Sequence, residues 1–387
     1  MERNSIKIEV RPGYGRARLW LGISAVGSIV TLSIARLAIN LPDRLQSTAG
    51  VTVRAQLLEL LVFVIAYSLI QLPFDFLGGY LLPKRFGRSF PRFKQWLPGL
   101  GRGVLIHSGV LFFAAVAILL AGRFGGRAGT VAAGFAMALI FLAMRVPLAS
   151  WVAPLSFPKF RPTSSRAGEE LPMILADNGD EGFTGGIVGL FRPQLQILPE
   201  RWQHVLGPAN FKVAVARRQS AVNSGSWMRG RMLALLFTLA GLIFAACRLP
   251  QSAIGTAGGT IQFSLWFTLW SFAGLLVLPT FSRRGVLETD ERSVDEGISA
   301  EAIGATIRLL DDLQDGEPVR PGLVETIFHP IPSVENRVEG LRSNGSMGYW
   351  DVARTSVYLS LAGIGLLGRA VHCNCGRPGL WVFLPTD

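Results

Sequence analysis

Six apolar stretches constrain this chain more than any other feature: Leu19–Ile39, Leu57–Leu82, Gly103–Ala121, Thr130–Ala153, Met232–Cys247 and Ile261–Phe281. Each is at or near the ~20 residues that a helix needs to cross the hydrocarbon of a bilayer. The fifth is short, and the second is interrupted by Gln71-Leu72-Pro73 and Asp75. Half of the 387 residues are apolar and mean hydropathy is +0.39, values that belong to a polytopic membrane protein rather than a soluble enzyme.

Charge orients the spans. Lys and Arg total 38 against 26 Asp and Glu, a net charge of +12. The excess lies in the N-terminus (Lys7, Arg11, Arg16, Arg18), in the loop from Lys84 to Arg102, in the segment Lys159–Arg231, and after Ser282-Arg283-Arg284. The links on the other side, Leu41–Val53, Gly122–Gly129 and Arg248–Gly259, are short. The positive-inside rule therefore places the polar parts in the cytoplasm, facing anionic lipid of the cytoplasmic (inner) membrane. No dense basic run interleaved with aromatics argues for nucleic acid. The N-terminus reads as an uncleaved anchor, and three cysteines, Cys247, Cys373 and Cys375, make no disulfide framework.

The expected fold is mainly α: about six membrane helices with a small cytoplasmic α+β domain. The expected division is a four-span membrane domain over 1–156, a first polar block over 157–230, a membrane hairpin over 231–281, a second polar block over 282–342, and a tail over 343–387. Within the first block, Gly185–Leu190 and Gln194–Leu198 read as two strands, and Gly207-Pro208 opens a helix. Ala302–Leu313 is a second helix, while Tyr358–Leu367 is apolar but too short to span.

The order of short motifs resembles the integral-membrane zinc metalloproteases that include the type I CAAX prenyl protease and the bacterial HtpX proteins. The resemblance is carried by Leu72-Pro73-Phe74, Gly79-Tyr80 and Arg85-Phe86-Gly87-Arg88-Ser89 at the second span. Val152-Ala153-Pro154-Leu155 with Lys159-Phe160-Arg161-Pro162 carries it after the fourth, and His329-Pro330 with Arg337, Val338 and Leu341 near the end. Gly189-Leu190-Phe191-Arg192-Pro193 and Ile197-Leu198-Pro199-Glu200 are similar to the related beta-lactam-sensing membrane proteases. The domain is thus expected to be gluzincin-like, with the strand pair either an edge for an extended peptide or a plain hairpin. About Ala17 to Leu341 is covered; the last forty-odd residues are not.

The resemblance implies a His-Glu-x-x-His helix in Val213–Ser226, and there the chain departs from the family. Arg217 and Ala221 fall on the two histidine positions and Arg218 on the general base. A guanidinium does not ligate Zn²⁺ and alanine has no donor. Glu291 and Asp295 have the family's Glu-x-x-x-Asp spacing, which implies a third ligand and its orienting partner, unless they are a solvated acidic patch. An Arg217–Glu291 or Arg217–Asp295 ion pair is expected to replace the metal. The four histidines, His107, His204, His329 and His372, include no pair at helical spacing. His204 and His329 are the candidates for a rearranged zinc site with Glu291, and His372-Cys373-Asn374-Cys375 is a weak soft-metal cluster. Glu59, Asp75 and Arg145 either line a chamber between helices, as the resemblance implies, or snorkel to the interface.

Three readings follow. The first is a catalytically inactive relative without a cofactor, binding membrane-protein segments or an active protease paralogue. The second is a zinc endopeptidase with rearranged ligands. The third is a small transporter using Glu59 and Asp75.

Overall fold

A computed structural model describes residues 13–39, 52–88, 92–153, 155, 171–189, 194–341 and 347–386. Lys7, Arg11, most of the 41–53 link, Ser89, Pro154, Lys159-Phe160-Arg161-Pro162 and Leu190–Pro193 lie outside the described residues. Among the described residues, five helices are long and apolar enough to cross a membrane: Tyr14–Ala38, Val53–Arg85, Phe93–Ala143, Ser226–Cys247 and Ala257–Asp295.

The third holds two of the expected spans. At ~1.5 Å per residue a straight helix of its length would far exceed the ~30 Å hydrocarbon core. It breaks at Gly126, where φ 59° and ψ −145° suit glycine alone. A Cβ at Gly129 would stand 2.2 Å from the Ala121 carbonyl oxygen, so the two legs lie against each other, as expected of 103–121 and 130–153.

The two uncertain spans resolve for local reasons. Val53–Phe76 stays helical through Pro73, and a π-helical turn at Leu77–Leu81 continues it. The short fifth stretch gains a turn at its start and runs 22 residues from Ser226.

Two expected boundaries fall inside continuous helices. Ser226–Cys247 passes through 230/231, and Ala257–Asp295 passes through 281/282 and carries Glu288, Asp290 and Glu291 beyond its apolar part. A helix that crosses the bilayer therefore also builds the polar region.

The two polar blocks pack on each other. Leu198, Trp202, Leu206, Ala214, Leu310 and Leu313 form one apolar cluster, and Val213, Ile303, Ile307 and Val334 form another. They join the Gly207–Asn223 helix to Ala300–Gln314, whose Ser299 cap accepts from the Ala302 N–H.

Three strands, β1 (Met173–Ala176), β2 (Gly186–Val188) and β3 (Leu195–Pro199), lie in the order β1-β3-β2. β1 runs parallel to β3, and β2 antiparallel. Of the expected strand pair, β2 lies at an edge of the described sheet and β3 is central, because β1, unrecognised in the sequence, covers the other side of β3.

The tail is the largest departure from expectation. Nearly every residue from Gly348 to Thr386 is buried, including the stretch too short to span. Trp350 enters between two helices at Gly230 and Gly285, where a Cβ would stand 2.0 Å from the Trp350 carbonyl oxygen and 2.2 Å from its nitrogen. The tail then packs among the membrane helices: Tyr358 Oη donates to the Phe141 carbonyl at 2.7 Å, and Ser264 Oγ to the Ile364 carbonyl at 2.6 Å. It ends beside the sheet, where the Thr386 N–H donates to Thr184 Oγ1.

Candidate functional site

The Gly207–Asn223 helix starts at Gly207 (φ 72°) with Pro208 in its first turn, and carries Arg217, Arg218, Ser220 and Ala221 on its buried side. Arg217 Nε donates to Asp290 Oδ1 at 2.7 Å. Arg337 grips the same carboxylate through Nε to Oδ2 at 2.7 Å and Nη2 to Oδ1 at 3.0 Å. All three side chains are almost fully buried. Two guanidiniums thus share one carboxylate out of water, an arrangement held by charge-assisted hydrogen bonds.

Arg217 pairs with Asp290, the residue next to the Glu291 that the spacing named. Asp290 faces Arg217; Asp295 is 62% exposed and pairs with Arg292 at 4.0 Å, and Glu291 is half-buried. Consecutive helical residues are turned by about 100°, and along this helix Asp290 is buried, Glu291 half-buried and Asp295 exposed. The i, i+4 pair on the face of Asp290 is Val286 and Asp290, both buried.

Ala221 meets Val286 in an apolar cluster with Ile187, Trp227 and Trp350. Arg218 stitches the helix to the sheet, donating through Nη1 to the Ile197 carbonyl at 2.7 Å and through Nη2 to that of Thr184, with its guanidinium over the Trp202 ring. No side chain at these positions is poised as a base.

The histidines sort differently from expectation. His204 is exposed on a short helix, Trp202–Val205, and takes no part. His107 packs edge-on against Trp381. His329 lies against His372, ring centroids 5.4 Å apart, and with Asp315 they bring three donor atoms within 4.8 Å of one another. Burial, with the charge of Arg320, pushes the His329 imidazole down to about 3. Burial alone would raise the Asp315 carboxyl, but Arg18 and Arg320 outweigh it and hold it well below the usual range. Nearby, Asp311 is pushed up to about 7 by burial, against Arg320 and with Asp315 and Asp312 adding to it.

The Cys-x-Cys pair is not a chelate. Cys373 Sγ accepts from Arg354 Nη1 at 3.1 Å, whereas Cys375 Sγ turns to the Ala370 carbonyl.

The intramembrane charges are corrected too. Arg145 does not snorkel: it is 1% exposed and donates through Nε to the Val382 carbonyl at 3.1 Å. Asp75, fully buried, is ion-paired with Arg369 and accepts from the Gly376 N–H at 2.8 Å. The tail occupies the space between helices that these residues would line. Sequence reasoning missed Asp290, Val286, Trp350 and Asp315; only Asp290 left a signal, as the carboxylate directly before Glu291.

Among solved structures, the chain matches the crystal structure of S. mikatae Ste24p with a TM-score of 0.64 at 14% identity, covering 85% of this chain and 87% of that one. Ste24p is an integral-membrane zinc metalloprotease, a type I CAAX prenyl protease, so the fold is the one that the sequence motifs indicated. No family model and no curated protein matches. The zinc that the fold family implies does not fit the degenerate helix. The two arginines and the alanine at the motif positions offer no ligand, and Trp350 packs into the same cluster as Ala221.

Proposed function

We propose that this chain is a non-proteolytic member of the Ste24p-like fold, a membrane-embedded scaffold that binds extended segments of membrane proteins or an active protease paralogue. The observation that carries this reading is the buried Arg217–Asp290–Arg337 triad beside the apolar Ala221–Val286–Trp350 contact. Metal-activated water needs neutral imidazoles and a carboxylate base, and two fixed cations at that place oppose both metal and base. The tail supports the same reading, because it packs between the membrane helices where a chamber would otherwise open.

The polar blocks face the cytoplasm in this proposal, on the strength of the charge bias alone. A partner segment pairs with β1. The Ile187 carbonyl of β2 is taken by Arg231 Nη2 at 2.7 Å and β3 is central, while β1 is an edge of the described sheet and half-exposed.

The test is a peptidase assay on the full chain in detergent, with casein and a prenylated peptide as substrates. No cleavage above a chelator-treated control is expected. Chelator-sensitive cleavage lost in Glu291→Ala would replace this reading with the rearranged protease. A photo-crosslinker at Ile174 should trap a membrane-protein partner in native membranes; no adduct would remove β1 as the binding edge.

A further inference from the structure

We infer that Asp315, His329 and His372 form a structural site for a divalent transition-metal ion, zinc above all, that pins the C-terminal tail to the polar region. The inference shares no residue with the degenerate helix and stands whether or not the chain cleaves peptides.

Three separate segments converge. Asp315 follows the Ala300–Gln314 helix, His329 follows Gly322–Phe328, and His372 belongs to the tail. One donor atom of each lies within 4.8 Å of the other two, a spacing that one ion can bridge. The residues line a cavity of about 30 Å³, room for an ion and a water.

Nε2 of His329, a residue 4% exposed, is buried without a hydrogen-bond partner, and a lone polar atom in such a place costs free energy until something satisfies it. His372 is fixed from behind: a Cβ at Gly22 would stand 2.6 Å from its Cα, so its backbone lies hard against the Tyr14–Ala38 helix.

The donor set selects the ion. Two imidazoles with one carboxylate suit zinc and its first-row neighbours and not magnesium or calcium, which take oxygen shells. Arg18 Nη1 at 2.9 Å and Arg320 Nη2 at 3.5 Å orient the carboxylate as outer-shell donors. Their charge also weakens the site relative to a thiolate-rich structural site. The remaining position falls to water or to Cys373, which lines the same cavity.

The experiment is a Co²⁺ titration of the chelator-stripped full chain in detergent, read by visible absorption and then by Zn²⁺ displacement. Tetrahedral ligand-field bands saturating at one equivalent are expected, with Zn²⁺ raising the melting temperature. His329→Gln and His372→Gln should each weaken binding at least tenfold, whereas Glu291→Ala should leave it unchanged. A near-ultraviolet thiolate-to-cobalt band would add Cys373 to the ligands. A featureless wild-type spectrum overturns the inference and needs no variant to fold. Bands that survive in both histidine variants also overturn it.

Discussion

At the scale of single residues, the chain keeps the geometry of a charged centre and changes its chemistry. Asp290 lies between Arg217 and Arg337, so removing the carboxylate strands two buried cations, whereas removing one cation leaves it paired with the other. Leaving a buried charge without its partner costs about 3–5 kcal/mol, and Asp290→Ala is expected to fall in that range by thermal unfolding in detergent, with Arg217→Ala costing less. An Asp290→Ala protein as stable as wild type would mean that the triad does not hold the domain.

Asp311 gives a pH signature. Its folded pKa of about 7 lies above the ~3.9 of an unfolded aspartate, so the native state binds the proton more tightly. That stability is complete below about pH 4 and is lost as pH rises through 7. The melting temperature should therefore decline between pH 5 and pH 8, and Asp311→Asn should flatten that part of the profile.

At the scale of elements, glycine decides how the long helix folds back. Gly126 occupies φ 59°, ψ −145°, a region that costs a residue with a Cβ about 1–3 kcal/mol. Gly126→Ala should lower the melting temperature, while Gly125→Ala, with nothing within 4 Å of a Cβ and ordinary helical backbone, should not. Phase matters as much as length. The helix ending at Asp295 was legible as a span followed by acidic residues, but spacing alone admits both Glu291/Asp295 and Val286/Asp290. The packing sets Val286 against Ala221 and Trp350, and Asp290 against Arg217. β1 left no sequence signal because four residues, most of them half-buried, give no alternation to count.

At the scale of the whole molecule, the tail joins the membrane helices to the polar region. Asp75 and Arg369 form its deepest tie, both side chains fully buried. Asp75→Leu alone should destabilise by about 3–5 kcal/mol, because it strands the Arg369 charge, whereas Asp75→Leu with Arg369→Leu should recover most of the loss. Equal instability of the single and double variants would show that the pair is not coupled. Deleting residues 348–387 should convert a monodisperse gel-filtration peak to aggregate, since it removes a core strip that runs from Trp350 to Thr386.

By itself the sequence determined the class: apolar runs of membrane length, their loop charges, and the absence of ligands at Arg217 and Ala221. Each of these is local, readable from hydropathy or side-chain chemistry within one segment. Tertiary structure alone decided which carboxylate answers Arg217, that β3 is central, that His329 meets His372, and that an apolar tail too short to span fills the interior. Those outcomes rest on helical phase and on contacts between segments far apart in the chain, such as Asp75 with Arg369, which no local spacing encodes.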